Sequence, residues 1–331
     1  MILPYLGYGT AQKLTVCGRV LEDEGFRPAA DADTRWRNLV RFYKRLESDE
    51  VPGARLRARF LGTQTETVTD DEGYFRLQIR ASSLKPGPWQ DVELELLEPG
   101  SANATARVLV PPARARFGVI SDIDDTIVSS HVTKKLKMLL TVALTNARTR
   151  KPFPGVAAFY RALHAGVNPF FYVSKSPWNL YAPLIEYLEV QRLPLGPLML
   201  RDFGFSAKKS PKKAAIEEVL ATYPKLKFIL IGDSGEHDPA IYSDIVRRFP
   251  ERILAIYIRS VNPKRIAGIE KLATEVAKTG CQLVLAEDCE PAAAHAAADG
   301  WIQASELRTV RAEKLSNSSS SNPGVSSDAL K

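Results

Sequence analysis

Long apolar runs are missing from this sequence. No stretch approaches the roughly 18 consecutive apolar residues of a membrane-spanning helix, which excludes the helical membrane class. The opening residues, Met1-Ile2-Leu3-Pro4-Tyr5, lack the basic segment and apolar core of a secretory signal, so a cytoplasmic location is expected. Cysteine is scarce. The three present, Cys17, Cys281 and Cys289, are odd in number and stand in no metal-ligand spacing. They argue against a disulfide frame or a zinc site and fit a reducing compartment. No repeat of fixed period is visible. No basic-aromatic platform is visible either, which makes nucleic acid the least favoured partner.

What is present suits a soluble globular chain long enough for two domains: 331 residues, 45% hydrophobic and 25% charged. The net charge of +7 fits an anionic partner, whether a membrane surface, nucleic acid or a phosphorylated substrate, and charge alone does not choose among them.

Residues 1–112 read as all-β. In Ala54–Leu61, Arg55, Arg57 and Arg59 alternate with Leu56, Ala58 and Phe60, the period of a half-buried strand. Leu14–Leu21, Thr63–Thr69, Tyr74–Ile79, Asp91–Leu97 and Ala104–Val110 complete the set expected of a small sandwich, with Asp70-Asp71-Glu72-Gly73 as a turn. Ala32–Glu47 has helical spacing instead. Two segments, Cys17–Leu21 and Thr69–Ile79, resemble transthyretin-like or carboxypeptidase-regulatory-like sandwiches. That resemblance implies an accessory module whose protein partner is unknown.

After Pro111-Pro112 the pattern changes. Near-continuous apolar strands at Phe117–Ser121, Pro169–Ser174, Leu226–Ile231, Ile253–Ile258 and Gln282–Ala286 alternate with helical stripes. Residues 113–310 are therefore expected to form an α/β domain, a parallel sheet with helices on both faces. Ser210 and Pro211 mark a helix start. Residues 311–331 read as a low-complexity, disordered tail.

Chemistry-bearing residues gather where such strands end. The first ends in Asp122, Asp124, Asp125 and Thr126. Crowded carboxylates raise one another's pKa, so a cation, most simply a divalent metal on oxygen ligands, is expected to offset them. The second ends in Ser174, Lys175, Ser176 and Pro177. The third ends in Asp233, followed by Glu236, His237 and Asp238, and a cluster of Lys208, Lys209, Lys212 and Lys213 opens the helix before that strand. Phosphoryl transfer requires this set: a nucleophile, an acid/base, a hydroxyl, a cation and a metal. Structural readings stand beside these: Ser174 as a helix cap before Pro177, Asp238 as a helix start before Pro239, His237 as a loop residue. Trp178 and Asp202 receive no role.

The order Asp-x-Asp-x-Thr, Ser, Lys, Gly-Asp-x4-Asp resembles the haloacid dehalogenase superfamily of phosphohydrolases over residues 115–260. "DIDDTI" (Asp122–Ile127), "YVSKSPWNLY" (Tyr172–Tyr181), "LRDFG" (Leu200–Gly204) and "IGDSGEHDPAIY" (Ile231–Tyr242) resemble the actin-patch-associated phosphatidate phosphatase catalytic domain, which is similar to that of lipins. The resemblance implies a HAD-like Rossmannoid fold and an Mg2+-dependent phosphatase releasing phosphate from phosphatidate. Asp122 would be the nucleophile, Asp124 the acid/base, and Thr126 would position Asp124. Ser174 and Lys175 would bind substrate. Lys212, favoured over Lys213 because it stands one turn before Ile216, would neutralise charge on the intermediate. Asp122, the Asp124 carbonyl, Asp233 and Asp238 would hold the metal. Residues 129–155 are short for a cap domain, which implies an open site. Within them Lys134, Lys135 and Lys137 precede an apolar run, as in a basic interfacial helix that meets anionic lipid; a helix packed on its own sheet fits the same residues. A phosphatase of soluble phosphomonoesters and a non-catalytic lipid- or protein-binding module remain the alternatives.

Overall fold

A computed structural model describes residues 1–22, 50–123, 155–201 and 210–319 of the chain. Among the described residues the first domain contains eight strands: β1 (Ile2–Pro4), β2 (Gly7–Gly9), β3 (Lys13–Val20), β4 (Arg55–Phe60), β5 (Thr63–Val68), β6 (Tyr74–Arg80), β7 (Trp89–Glu98) and β8 (Ala102–Leu109). They hydrogen-bond in the order β1-β3-β2-β8-β7-β4-β5, with β6 paired to β3. The alternation in β4 decides its faces: Leu56, Ala58 and Phe60 are buried, and the arginines between them turn outward to Glu66 and Glu95. Leu14, Val16, Leu56, Phe75, Leu94 and Val108 fill the enclosed core. Asp70 organises the expected turn, its Oδ1 accepting from the N–H groups of Glu72 (3.1 Å) and Tyr74 (2.8 Å). The helical pattern at Ala32–Glu47 lies outside the described residues.

The second domain is a six-stranded parallel sheet: β9 (Gly118–Asp122), β10 (Phe170–Pro177), β11 (Leu198–Arg201), β12 (Phe228–Asp233), β13 (Ile253–Arg259) and β14 (Gln282–Ala286), ordered β11-β10-β9-β12-β13-β14. Its helices are α1 (Val156–His164), α2 (Tyr181–Val190), α3 (Pro211–Thr222), α4 (Asp238–Arg248), α5 (Ile266–Ala277), α6 (Glu290–Ala298) and α7 (Ala304–Ser319). The sheet is covered on both sides, which is why its central strands carry no polar alternation. Val119, Phe170, Ile229 and Tyr257 pack with α1, α2, α6 and α7. Ile120, Phe171, Leu230 and Ile256 pack with α3, α4 and α5. Strand order runs outward in both directions from β9, so the crevice of such a sheet opens beyond the carboxyl ends of β9 and β12. Asp122 and Asp233 end those two strands.

The structure departs from the sequence expectations at three places. α7 runs through the boundary expected at residue 310 and ends at Ser319. Val310 is fully buried, Glu313 reaches Arg161 on α1 at 2.6 Å, and Lys314 pairs with Asp288 at 2.7 Å and Glu290 at 2.8 Å. β1, β2, β11, α6 and α7 are additional elements. Ser210 does sit at the N-cap of α3, but its hydroxyl makes no capping bond; its carbonyl oxygen accepts from Ala214 N at 3.1 Å instead. No helix among the described residues is long and apolar enough to cross a membrane.

Candidate active site

β9 carries Asp122 into the crevice with no exposed surface. Its position is fixed from behind: the Ser121 hydroxyl lies 2.7 Å from both the Asp122 carbonyl oxygen and the Tyr160 hydroxyl. β12 carries Asp233, whose Oδ1 accepts from the N–H groups of Gly235 (2.5 Å) and Glu236 (3.2 Å). Asp238 opens α4 and turns back on β12, its Oδ2 accepting from Asp233 N at 3.4 Å. The approach needs Gly232, where a Cβ would lie 2.4 Å from Asp238 Oδ2. The next turn is braced as well: the Ser234 hydroxyl accepts from Val261 N and Asn262 N at 2.8 and 3.0 Å.

Into this group α3 inserts Lys212. Its Nζ donates to Asp122 Oδ1 at 2.7 Å, Asp238 Oδ1 at 2.6 Å and Glu236 Oε2 at 3.2 Å, and its side chain is 1% exposed. Burial would lower the ammonium's pKa, but Asp122 and Asp238 overcome this and hold it well above the usual lysine value, so it stays charged. The neighbouring Lys213 turns away and pairs with Asp244 on α4. Of the two adjacent lysines, Lys212 is therefore the one inside the site.

Ser174 and Lys175 come from the end of β10. Ser174 is buried, and its Oγ accepts from Ser176 N at 2.9 Å. Lys175 is half exposed and reaches Glu236 Oε2 at 3.0 Å. Burial would raise the Glu236 carboxyl, but Lys212 and Lys175 pull it below its usual value. Sequence reasoning gave Glu236 no role; the one signal available was its place in the loop between Asp233 and Asp238. An open cavity of about 520 Å3 adjoins the cluster, lined by Lys175, Ser210, Lys212, Lys213, His237 and Asp244. Asp124, Asp125, Thr126, Asp202, Lys208, Lys209 and the basic stretch at 134–151 lie outside the described residues.

Carboxylate oxygens of Asp122, Asp233 and Asp238, all buried, lie within 4.8 Å of one another. An all-oxygen, anionic donor set of this kind fits a hard divalent cation.

A parallel sheet of this order, with an aspartate ending each strand at the switch point and a helix-borne lysine between them, is the arrangement of a haloacid dehalogenase-like fold. Residues 117–260 match the family model "Phosphatidate phosphatase APP1, catalytic domain". Phosphatidate phosphatase APP1 of Saccharomyces cerevisiae is 38% identical over 152 residues, covering 43% of this chain and 26% of the yeast protein. An uncharacterised protein of Schizosaccharomyces pombe is 28% identical over 221 residues, covering 63% of this chain and 36% of that protein. The chain thus spans about a quarter to a third of the curated relatives it matches. Among solved structures, a HAD family hydrolase from Deinococcus radiodurans R1, with bound phosphate and sodium, is similar at 14% identity and a TM-score of 0.36, covering 57% of this chain and 99% of that one. At that level the topology above, and not the likeness, carries the fold.

Proposed function

We propose that the chain is a phosphatase that hydrolyses phosphatidate to diacylglycerol and phosphate through a phosphoaspartyl intermediate, with Mg2+ as its metal. The observation that carries this reading is the buried group of Asp122, Asp233 and Asp238 around Lys212 at the switch point of the sheet. Asp122 attacks phosphorus, forming the Asp122–phosphoryl bond as the ester oxygen departs with a proton from Asp124. Water then attacks the acyl phosphate, giving up a proton to Asp124, and phosphate leaves. Thr126 orients Asp124. Lys212 keeps Asp122 ionised and opposes the charge that develops on the phosphoryl oxygens. Ser174 donates a hydroxyl hydrogen bond to those oxygens, and Lys175 and Lys213 at the rim attract the phosphate. Mg2+ would be held by Asp122, the Asp124 carbonyl, Asp233 and Asp238, and when bound would supply further positive charge against the phosphoryl group.

The lipid substrate is supported by the name of the yeast relative and by the net charge of +7, which favours an anionic membrane surface. On this reading the protein is cytoplasmic and peripheral to the membrane, and the basic, apolar residues at 134–151 make the contact. The test is phosphate release from phosphatidate in mixed micelles against a panel of soluble phosphomonoesters, with EDTA and then with Mg2+ restored. Phosphatidate is expected to be hydrolysed best, with activity lost in EDTA and regained with Mg2+. Release from soluble esters alone would replace the lipid reading by the soluble one. No release from any substrate with Mg2+ present would leave a non-catalytic binding module.

A further inference from the structure

The antiparallel domain is built into two of the elements that carry the site. Tyr5, between β1 and β2, is buried and stacks on Trp178 with ring centroids 4.5 Å apart and planes at 19°. The Tyr181 ring lies 4.3 Å from the Tyr5 ring, and its hydroxyl accepts from Leu6 N at 2.6 Å. Trp178 follows β10 directly and stands four residues after Ser174. On the other face of the sheet Arg76 of β6 donates to the Tyr8 hydroxyl at 2.8 Å, and both Arg76 and Tyr8 bond the Glu218 carboxylate. Glu218 is on α3, the helix whose second residue is Lys212.

These contacts fall beside a register shift at the end of β10 and on the helix that carries Lys212. Asp122 and Asp233 end central strands that pair on both sides. Pairing of β10 with β9 stops at Val173, and its pairing with β11 jumps from Val173 to Pro177. Ser174, Lys175 and Ser176 thus lie in a break of the register between Val173 and Pro177, and Trp178, stacked on Tyr5, follows Pro177 directly. Lys212 likewise enters the site from a helix N-terminus, where intrahelical hydrogen bonds are incomplete.

We propose that Tyr5, Leu6, Tyr8 and Arg76 are positioning residues: the antiparallel domain holds the Ser174–Ser176 segment and the Lys212 helix in register with Asp122. It is part of the site and not an appended module. That the held elements serve phosphoryl transfer rests on the phosphatase reading; that they are held does not.

Two near-isosteric variants of the full chain test this, Tyr181→Phe and Glu218→Gln, each removing one grip. Amide hydrogen exchange in peptides covering 172–181 (Tyr181→Phe) or 211–222 (Glu218→Gln) is expected to quicken at least about fivefold, with peptides covering 253–259 and 282–286 within about twofold of wild type. The affinity for orthovanadate with Mg2+, a phosphate mimic, is expected to fall about tenfold at unchanged stoichiometry, which a mere loss of folded protein would not produce. Unchanged exchange in both variants, or a uniform rise across all peptides, overturns the proposal. A wild type that neither binds vanadate nor releases phosphate would sink the phosphatase reading, while the exchange pattern would still decide whether the domain holds these elements.

Discussion

Lys212 shows what a single residue contributes to this site. A buried ammonium is unstable alone, costing several kcal/mol of desolvation, and here three carboxylates at 2.6–3.2 Å offset that cost. The carboxylates need it in turn. Asp122 and Asp233 were legible because strands buried on both faces end abruptly in acids, and Asp238 by its spacing after Asp233. It left Lys212 and Lys213 in competition, since adjacent residues on a helix point about 100° apart and only packing decides which points inward. Gly232 was legible as part of a motif but not as a steric requirement. In Gly232→Ala the new Cβ would lie 2.4 Å from Asp238 Oδ2 and 2.9 Å from the Tyr242 ring, so Asp238 must move. Phosphate release by this variant is expected to fall at least about tenfold with the circular dichroism spectrum retained. Wild-type turnover would show that the Asp238 position is not needed.

At the scale of elements, those with strong periodicity were readable and those without it were not. β9, β12 and β13 are apolar runs bounded by loops. β11 is four residues at a sheet edge behind Leu193-Pro194-Leu195-Gly196-Pro197, too short to show a period. α6 is an alanine-rich segment with no apolar stripe, and α7 is mostly polar. Both are held by contacts distant in sequence. Glu313 of α7 accepts from Ala158 N in the first turn of α1, supplying an anion that Gly155, with no side chain, cannot. Gly155 has φ +80°, and a Cβ there would lie 2.8 Å from Cys289 Sγ and 3.1 Å from the Val310 carbonyl oxygen. Gly155→Ala is therefore strained twice over and is expected to cost about 1–3 kcal/mol, read from the urea midpoint. An unchanged midpoint would mean that the junction of α1, α6 and α7 relaxes freely.

The whole molecule joins an antiparallel sheet to a parallel one through side chains some 140 to 210 positions apart in sequence, such as Arg76 with Glu218 and Tyr8 with Glu218. Alternation in the first domain revealed most of its strands, yet nothing local marked Tyr5, Tyr8 or Arg76 as joining residues, because each is an ordinary residue of a β domain until its partner is known. The joined body places one carboxylate, Asp122, at the convergence of Lys212, Asp233 and Asp238, and the account depends on that residue being the nucleophile. The most direct test is to trap the intermediate: react the protein with radiolabelled phosphatidate and Mg2+, quench in acid, and map the label by peptide mass spectrometry. A hydroxylamine-labile phosphoryl group is expected on the peptide containing Asp122, absent from Asp122→Asn, whose turnover should fall by at least about a thousandfold. Full turnover by Asp122→Asn, or label on a different residue, would contradict the account.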